Sequence, residues 1–205
     1  MFGVSDAGGK KMASKMKSYV LTALAALLAA ALLYFVYVQV SRSSHGEVRR
    51  ATANTIDIAL ESSPVVVIGK VTDDKGTPRN LRRDSVDPAK EDRNVIVPGT
   101  DYDVEVINVL KGNVEPNSKI KVAVPGGTYQ GKTARLQATL KKDEAYIFAL
   151  APSSSGPANY YGLIEPYIFQ LKNNKVVAVT NDDQIKANFR EEPMTEADLI
   201  RKFNQ

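Results

Sequence analysis

Two hydrophobic patterns with different periods divide the chain. Residues 19–40 read YVLTALAALLAAALLYFVYVQV, a run without charge in which Gln39 alone is strongly polar. As a helix this run spans about 33 Å at about 1.5 Å per residue, which matches a hydrocarbon core of about 30 Å. Ala and Leu dominate its first half and favour the helix. Tyr34 and Tyr37 lie toward one end, where amphipathic aromatic rings favour the interface. A small domain cannot cover such a helix on every side, so the pattern predicts one transmembrane helix over 19–40. Positions 29–31 are small, but 32–38 continue the apolar run. An uncleaved signal anchor is therefore expected, not a removed signal peptide.

Beyond residue 40 the apolar runs shorten and their period falls toward two. Residues 41–53, SRSSHGEVRRATA, are polar and are expected to form a stalk. Residues 54–63 carry Ile56, Ile58, Ala59 and Leu60 behind a cap at Asn54 or Thr55, and Pro64 follows. That spacing predicts a short helix ending before the proline. VVVIGKV (65–71) is continuous and β-branched, the mark of a strand buried on both faces. DYDVEVINVLKG (101–112) alternates, with Tyr102, Val104 and Val106 opposite Asp101, Asp103 and Glu105. The alternation breaks at Ile107, which predicts a bulge or bend. KIKVAVPGG (119–127) and EAYIFALAP (144–152) read as further strands, and YYGLIEP (160–166) as a short edge piece. YIFQL and KVVAVT flank KNNK (172–175), a hairpin turn because Asn tolerates left-handed backbone. TEAD (195–198) resembles a capping box with Asp at the third helical position, opening a last helix through Phe203. Residues 73–99 form a long segment without apolar periodicity and with balanced charge, expected to be a solvated, mobile insertion, with a functional loop as the alternative.

Composition sharpens this picture in three ways. The formal charge is +4, from 27 Lys and Arg against 23 Asp and Glu. Lys10, Lys11, Lys15 and Lys17 against Asp6 place +3 of it ahead of the predicted span. The positive flank predicts a cytoplasmic tail over 1–18 and an exported remainder. With either Met1 or Met12 as first residue, Lys15 and Lys17 keep that flank. The remainder is close to neutral, which disfavours nucleic acid as a partner. There is no Cys and a single His, His45. Disulfide frameworks, Cys-based zinc sites and thiol nucleophiles are excluded, as is any metal site or mechanism needing two His.

The succession PVVVIGKV (64–71), TDYDVEVINVLKGNV (100–114), SKIKVAVPGG (118–127) and LKKDEAYIFAL (140–150) resembles the exported OB-fold domains of the superfamily containing tissue inhibitors of metalloproteinases and netrin modules. Similar domains occur in membrane-anchored proteins of Gram-positive bacteria. The resemblance covers roughly 64–151. It implies a mainly β domain over 54–205, built as a five-stranded OB-like antiparallel barrel with short helices. The tissue inhibitors chelate zinc through an N-terminal Cys-x-Cys, which this chain lacks. The resemblance therefore implies a fold and not protease inhibition.

The residues bear on several candidate chemistries. Ser41, Ser43 and Ser44 follow the span as the nucleophile does in type I signal peptidases, but SRSSHG lacks the Ser-x-Met signature. Sortases share that layout and need a Cys. Asp101, Asp103 and Glu105 on one strand face, with Asp182 and Asp183, offer oxygen ligands for a hard cation, though alternating carboxylates also mark a wet sheet face. Aromatic and glycine-rich positions suggest sugar or peptide binding. Tyr160 and Tyr161 point oppositely if extended, so one is expected outside, and the loop over 125–133 offers a lip. The expected function is a non-enzymatic binding or assembly module of the cell envelope. It would be held in the lipid bilayer through 19–40, need no cofactor, and bind an envelope protein or glycan. Gly126, Gly127, Tyr129, Tyr160 and Tyr161 are its candidate surface. The alternative is an envelope hydrolase or metal-binding enzyme using the strand-face carboxylates.

Overall fold

The computed structural model describes residues 51–204. The predicted tail, transmembrane helix and most of the stalk lie outside them. Among the described residues 43% are strand and 14% helix, so the domain is mainly β, as the alternating runs predict. No helix among them is long and apolar enough to cross a membrane.

The chain enters through β1 (Ala51–Thr52), which pairs in parallel with β10 (Ile164–Glu165). Ala53 is buried, and its amide donates to the Glu165 carbonyl at 2.7 Å. Positions 51–53, expected in the stalk, thus belong to the domain. Helix α1 (Ile56–Ser62) follows, its first turn capped by the Thr55 hydroxyl, which accepts from the Ile58 amide. Ile56, Ala59 and Leu60 share its inner face and join the core.

The central sheet contains β2 (Val65–Val71), β4 (Pro98–Lys111), β5 (Lys119–Pro125), β8 (Ala145–Pro152) and β9 (Asn159–Tyr161). β2 lies between β4 and β8, β4 pairs with β5, β5 with β9, and β9 returns to β8. The pairings form a closed circuit. Four are antiparallel, and β5–β9 is parallel, which departs from the wholly antiparallel expectation. From β8 the sheet continues outward through β11 (Ile168–Lys172), β12 (Lys175–Ala178) and the two-residue β13 (Glu192–Pro193).

The predicted break in the second strand is real. Against β2 the β4 register skips at Leu110 and at Ile107, and Ile107 is turned outward with 49% exposure. Gly69 sits beside the second skip because strand β4 crosses there closely. A Cβ at that position would collide with the Val104 side chain. Six of the seven β2 residues are buried, which explains why its sequence shows no alternation.

Asn173 and Asn174 both take left-handed backbone in the β11–β12 hairpin, as expected of that turn. A short helix α2 (Asp183–Asn188) is capped by Asp182. The last helix, α3 (Glu196–Phe203), begins with the predicted box. The Thr195 hydroxyl accepts from the Asp198 amide, and Asp198 accepts from the Thr195 amide. The fully buried Leu199 fixes α3 to the core, a burial that stabilises by about 1.5–3 kcal/mol. Lys202 pairs with Asp57 and ties α3 to α1.

Candidate functional site

The insertion over 73–99 is organised, contrary to its reading as a solvated loop. It contains β3 (Thr77–Asn80), which pairs with the start of β4, and an isolated bridge between Arg83 and Glu91. Its hub is Asn80, only 1% exposed. The Asn80 amide group donates to the carbonyls of Asp92 and Val95, both at 2.8 Å. Its oxygen accepts from the amides of Arg82 at 3.0 Å and Val97 at 2.8 Å. Every hydrogen-bonding position of one buried side chain is used to shape the surrounding backbone.

The ordered insertion walls a cavity of about 460 Å³. Arg79, Leu81 and Arg83 line it from the insertion, Ala123 and Pro125 from β5, Pro152 to Ser154 from the end of β8, and Tyr161 from β9. Tyr161 is 41% exposed, while Tyr160 is turned into the core. The expectation that the two rings point oppositely holds, and Tyr160 is therefore removed from the candidate surface. The two arginines differ. Arg79 is largely buried and donates to Asp101 Oδ2 at 2.7 Å. Burial pushes the Asp101 carboxyl above its usual range, against the opposing pull of the Arg79 charge. Asp101 Oδ1 is buried without a hydrogen-bond partner. Arg83 has no ion-pair partner among the described residues, and no carboxylate lines this cavity.

A second cavity of about 350 Å³ is lined by Asn80, residues 90–93, Tyr129 and Gln130. Tyr129 belongs to β6 (Gly127–Tyr129), which forms a small hairpin with β7 (Lys132–Ala134). The Tyr129 hydroxyl donates to Glu91 Oε2 at 2.8 Å, and that bond holds the phenol above its ordinary range. The ring therefore braces the insertion.

Gly126 is buried. Its amide donates to the Pro98 carbonyl at 2.9 Å and its own carbonyl accepts from the Thr100 hydroxyl at 3.0 Å. Its φ of 100° and the adjacent Arg135 backbone leave no room for a side chain. Gly127 has a φ of 104° and pairs with Ala134. Both glycines shape the turn leaving β5, so the five expected site residues do not form one surface. Tyr161 lines the larger cavity, Tyr129 the smaller, and the remaining three are structural.

Two of the three strand-face carboxylates are paired. Asp101 is matched by Arg79, and Asp103 accepts from Lys121 at 2.7 Å. Among the described residues no group of three or more His, Cys, Asp or Glu side chains converges. A separate polar cluster joins Glu144, Tyr146 and Gln170. Tyr146 and Gln170 both donate to Glu144 Oε2, at 2.9 Å each. These bonds pull the Glu144 carboxyl below its usual range, and burial pushes the Tyr146 phenol up to about 12.

The chain matches no family model, no curated protein and no solved structure.

Proposed function

We propose that this protein is a membrane-anchored, extracytoplasmic binding module of the cell envelope and acts without catalysis. The observation that carries the reading is the cavity beside Tyr161. Its walls combine exposed aromatic and apolar surface with an unpaired guanidinium, the mixture expected of a small-ligand site. The charge-free run over 19–40 and its positive flank support the anchor and the orientation. The five-strand circuit with its one parallel pair supports an OB-like barrel. The succession of strand motifs supports kinship with the superfamily of tissue inhibitors and netrin modules.

The test is a photo-crosslinking residue placed at position 161 of the full chain in cells, with position 107, exposed and outside the cavity lining, as the control. An envelope glycan or protein joined at 161 and not at 107 is expected. Equal adducts at both positions would refute the site. Proteolysis of the C-terminal domain in intact, wall-stripped cells tests the orientation, since an exported domain is digested and a cytoplasmic one is spared.

A further inference from the structure

The geometry points to a carboxylate-bearing sugar, a uronic-acid unit of an acidic glycan, as the ligand of the cavity beside Tyr161. The inference rests on the binding-module reading above and names its ligand class.

The argument starts from charge. Arg79 is committed to Asp101, so its guanidinium is already matched. Arg83 is half-buried, has no ion-pair partner among the described residues, and faces a wall without acids. A guanidinium presents a planar fork of donors that fits a carboxylate with two parallel hydrogen bonds. The bridge to Glu91 and the bonds around Asn80 hold the backbone that carries it, so little ordering remains to be done on binding.

The rest of the wall selects the body of the ligand. Tyr161 offers an exposed ring face and Pro125 an apolar flank. Ser153 and Ser154 add hydroxyls. Ser153 shares a hydrogen with Ser155 at 2.8 Å, and Ser154 donates to the Pro88 carbonyl at 3.3 Å. Ser153 Oγ also accepts from the Ser155 amide at 3.2 Å, so it keeps one position for a ligand hydroxyl, and Ser154 Oγ keeps its acceptor capacity. A ring with C–H faces, several hydroxyls and one carboxylate answers all three features. An extended peptide is less suited. β5 and β9 each have strand partners on both sides in the closed circuit, so neither of these two cavity-lining strands offers an edge for backbone addition.

The test is isothermal calorimetry on the full chain with trigalacturonate, its carboxyl-reduced neutral counterpart, and a short peptide with a free C-terminal carboxylate. Trigalacturonate is expected to bind, and Arg83→Gln to weaken it about tenfold or more, the loss of a charge-assisted pair. Tyr161→Ala is expected to weaken it by a similar factor, with unchanged thermal unfolding in both variants. Arg83→Lys, which keeps the charge and loses the fork, should fall between. Absence of trigalacturonate binding, equal binding of the neutral trisaccharide, or indifference to Arg83→Gln each overturns the proposal. Binding of the peptide alone, lost in Tyr161→Ala, overturns the sugar and leaves the binding module standing. Equal adducts at 161 and 107 in the crosslinking experiment overturn that broader reading separately.

Discussion

Replacing Asn80 tests the claim that a single side chain organises the insertion. Asn80→Ala deletes four hydrogen bonds of 2.8–3.0 Å and strands two carbonyls and two amides of the backbone. At a net 0.5–1.5 kcal/mol each, the four sum to about 2–6 kcal/mol. The insertion can open locally and let water reach the freed groups, which caps the loss, so about 2–4 kcal/mol is expected. Urea denaturation measures the total, and amide hydrogen exchange locates it. The amides of Arg82 and Val97, which lose their acceptor, should exchange faster, while those at the centre of β2 should not. Asn80→Asp is the companion variant. It keeps acceptors for the two amides but sets carboxylate oxygens against the Asp92 and Val95 carbonyls, so it should destabilise at least as much. An unchanged denaturation midpoint in Asn80→Ala, with the Val97 amide still protected, would refute the reasoning.

Other expected outcomes follow from the same geometry. Arg79→Leu should cost about 3–5 kcal/mol by leaving a buried carboxylate alone, and Arg79→Leu with Asp101→Leu should cost less; equal urea midpoints for the two variants would contradict this. Gly126→Ala should destabilise by at least about 2 kcal/mol, because strain at positive φ adds to a clash with the Arg135 backbone. Gly131→Ala, also at positive φ but with open space around it, should cost only the strain, about 1 kcal/mol; thermal melts compare the two. Tyr146, raised to about 12 in the fold, holds its proton longer there than in the unfolded chain. Folding stability should therefore fall as pH rises from 10 through 12, and Tyr146→Phe should remove that part of the decline in urea titrations across the range.

The elements legible in the sequence were those specified by their own residues. The β-branched run over 65–71, the alternation from Tyr102, the two asparagines at 173 and 174, and the box at Thr195 each dictate a local geometry. β3 carries no alternation of its own, and the β4 backbone supplies its order. The β6–β7 hairpin is three residues a side and carries no alternation to detect. Charge balance makes the insertion read as solvated, whereas its order comes from the pairing of β3 with β4 and from one buried Asn with no sequence pattern around it. The exposure of one ring of the Tyr160–Tyr161 pair is legible because adjacent residues on a strand face opposite ways. The place of Arg83 is not legible, since the cavity walls outside the insertion lie about 40 to 80 positions away and only the closed circuit brings them to it.

That circuit also sets an order of assembly. β4 and β5 are joined through residues 112–118, a short closure, whereas bringing β2 onto β4 must close residues 72–97, at an entropic cost about 1 kcal/mol greater. β9 has to find β5 and β8 together, so it should dock after both are in place. Substitutions at Val104 or Val122 are then expected to slow refolding, while Tyr160→Leu should chiefly hasten unfolding. Slowed refolding in Tyr160→Leu would show the reverse order. Because Tyr161 rides on the strand that docks last, a chain caught before that step would carry a nearly complete sheet without the cavity that Tyr161 lines.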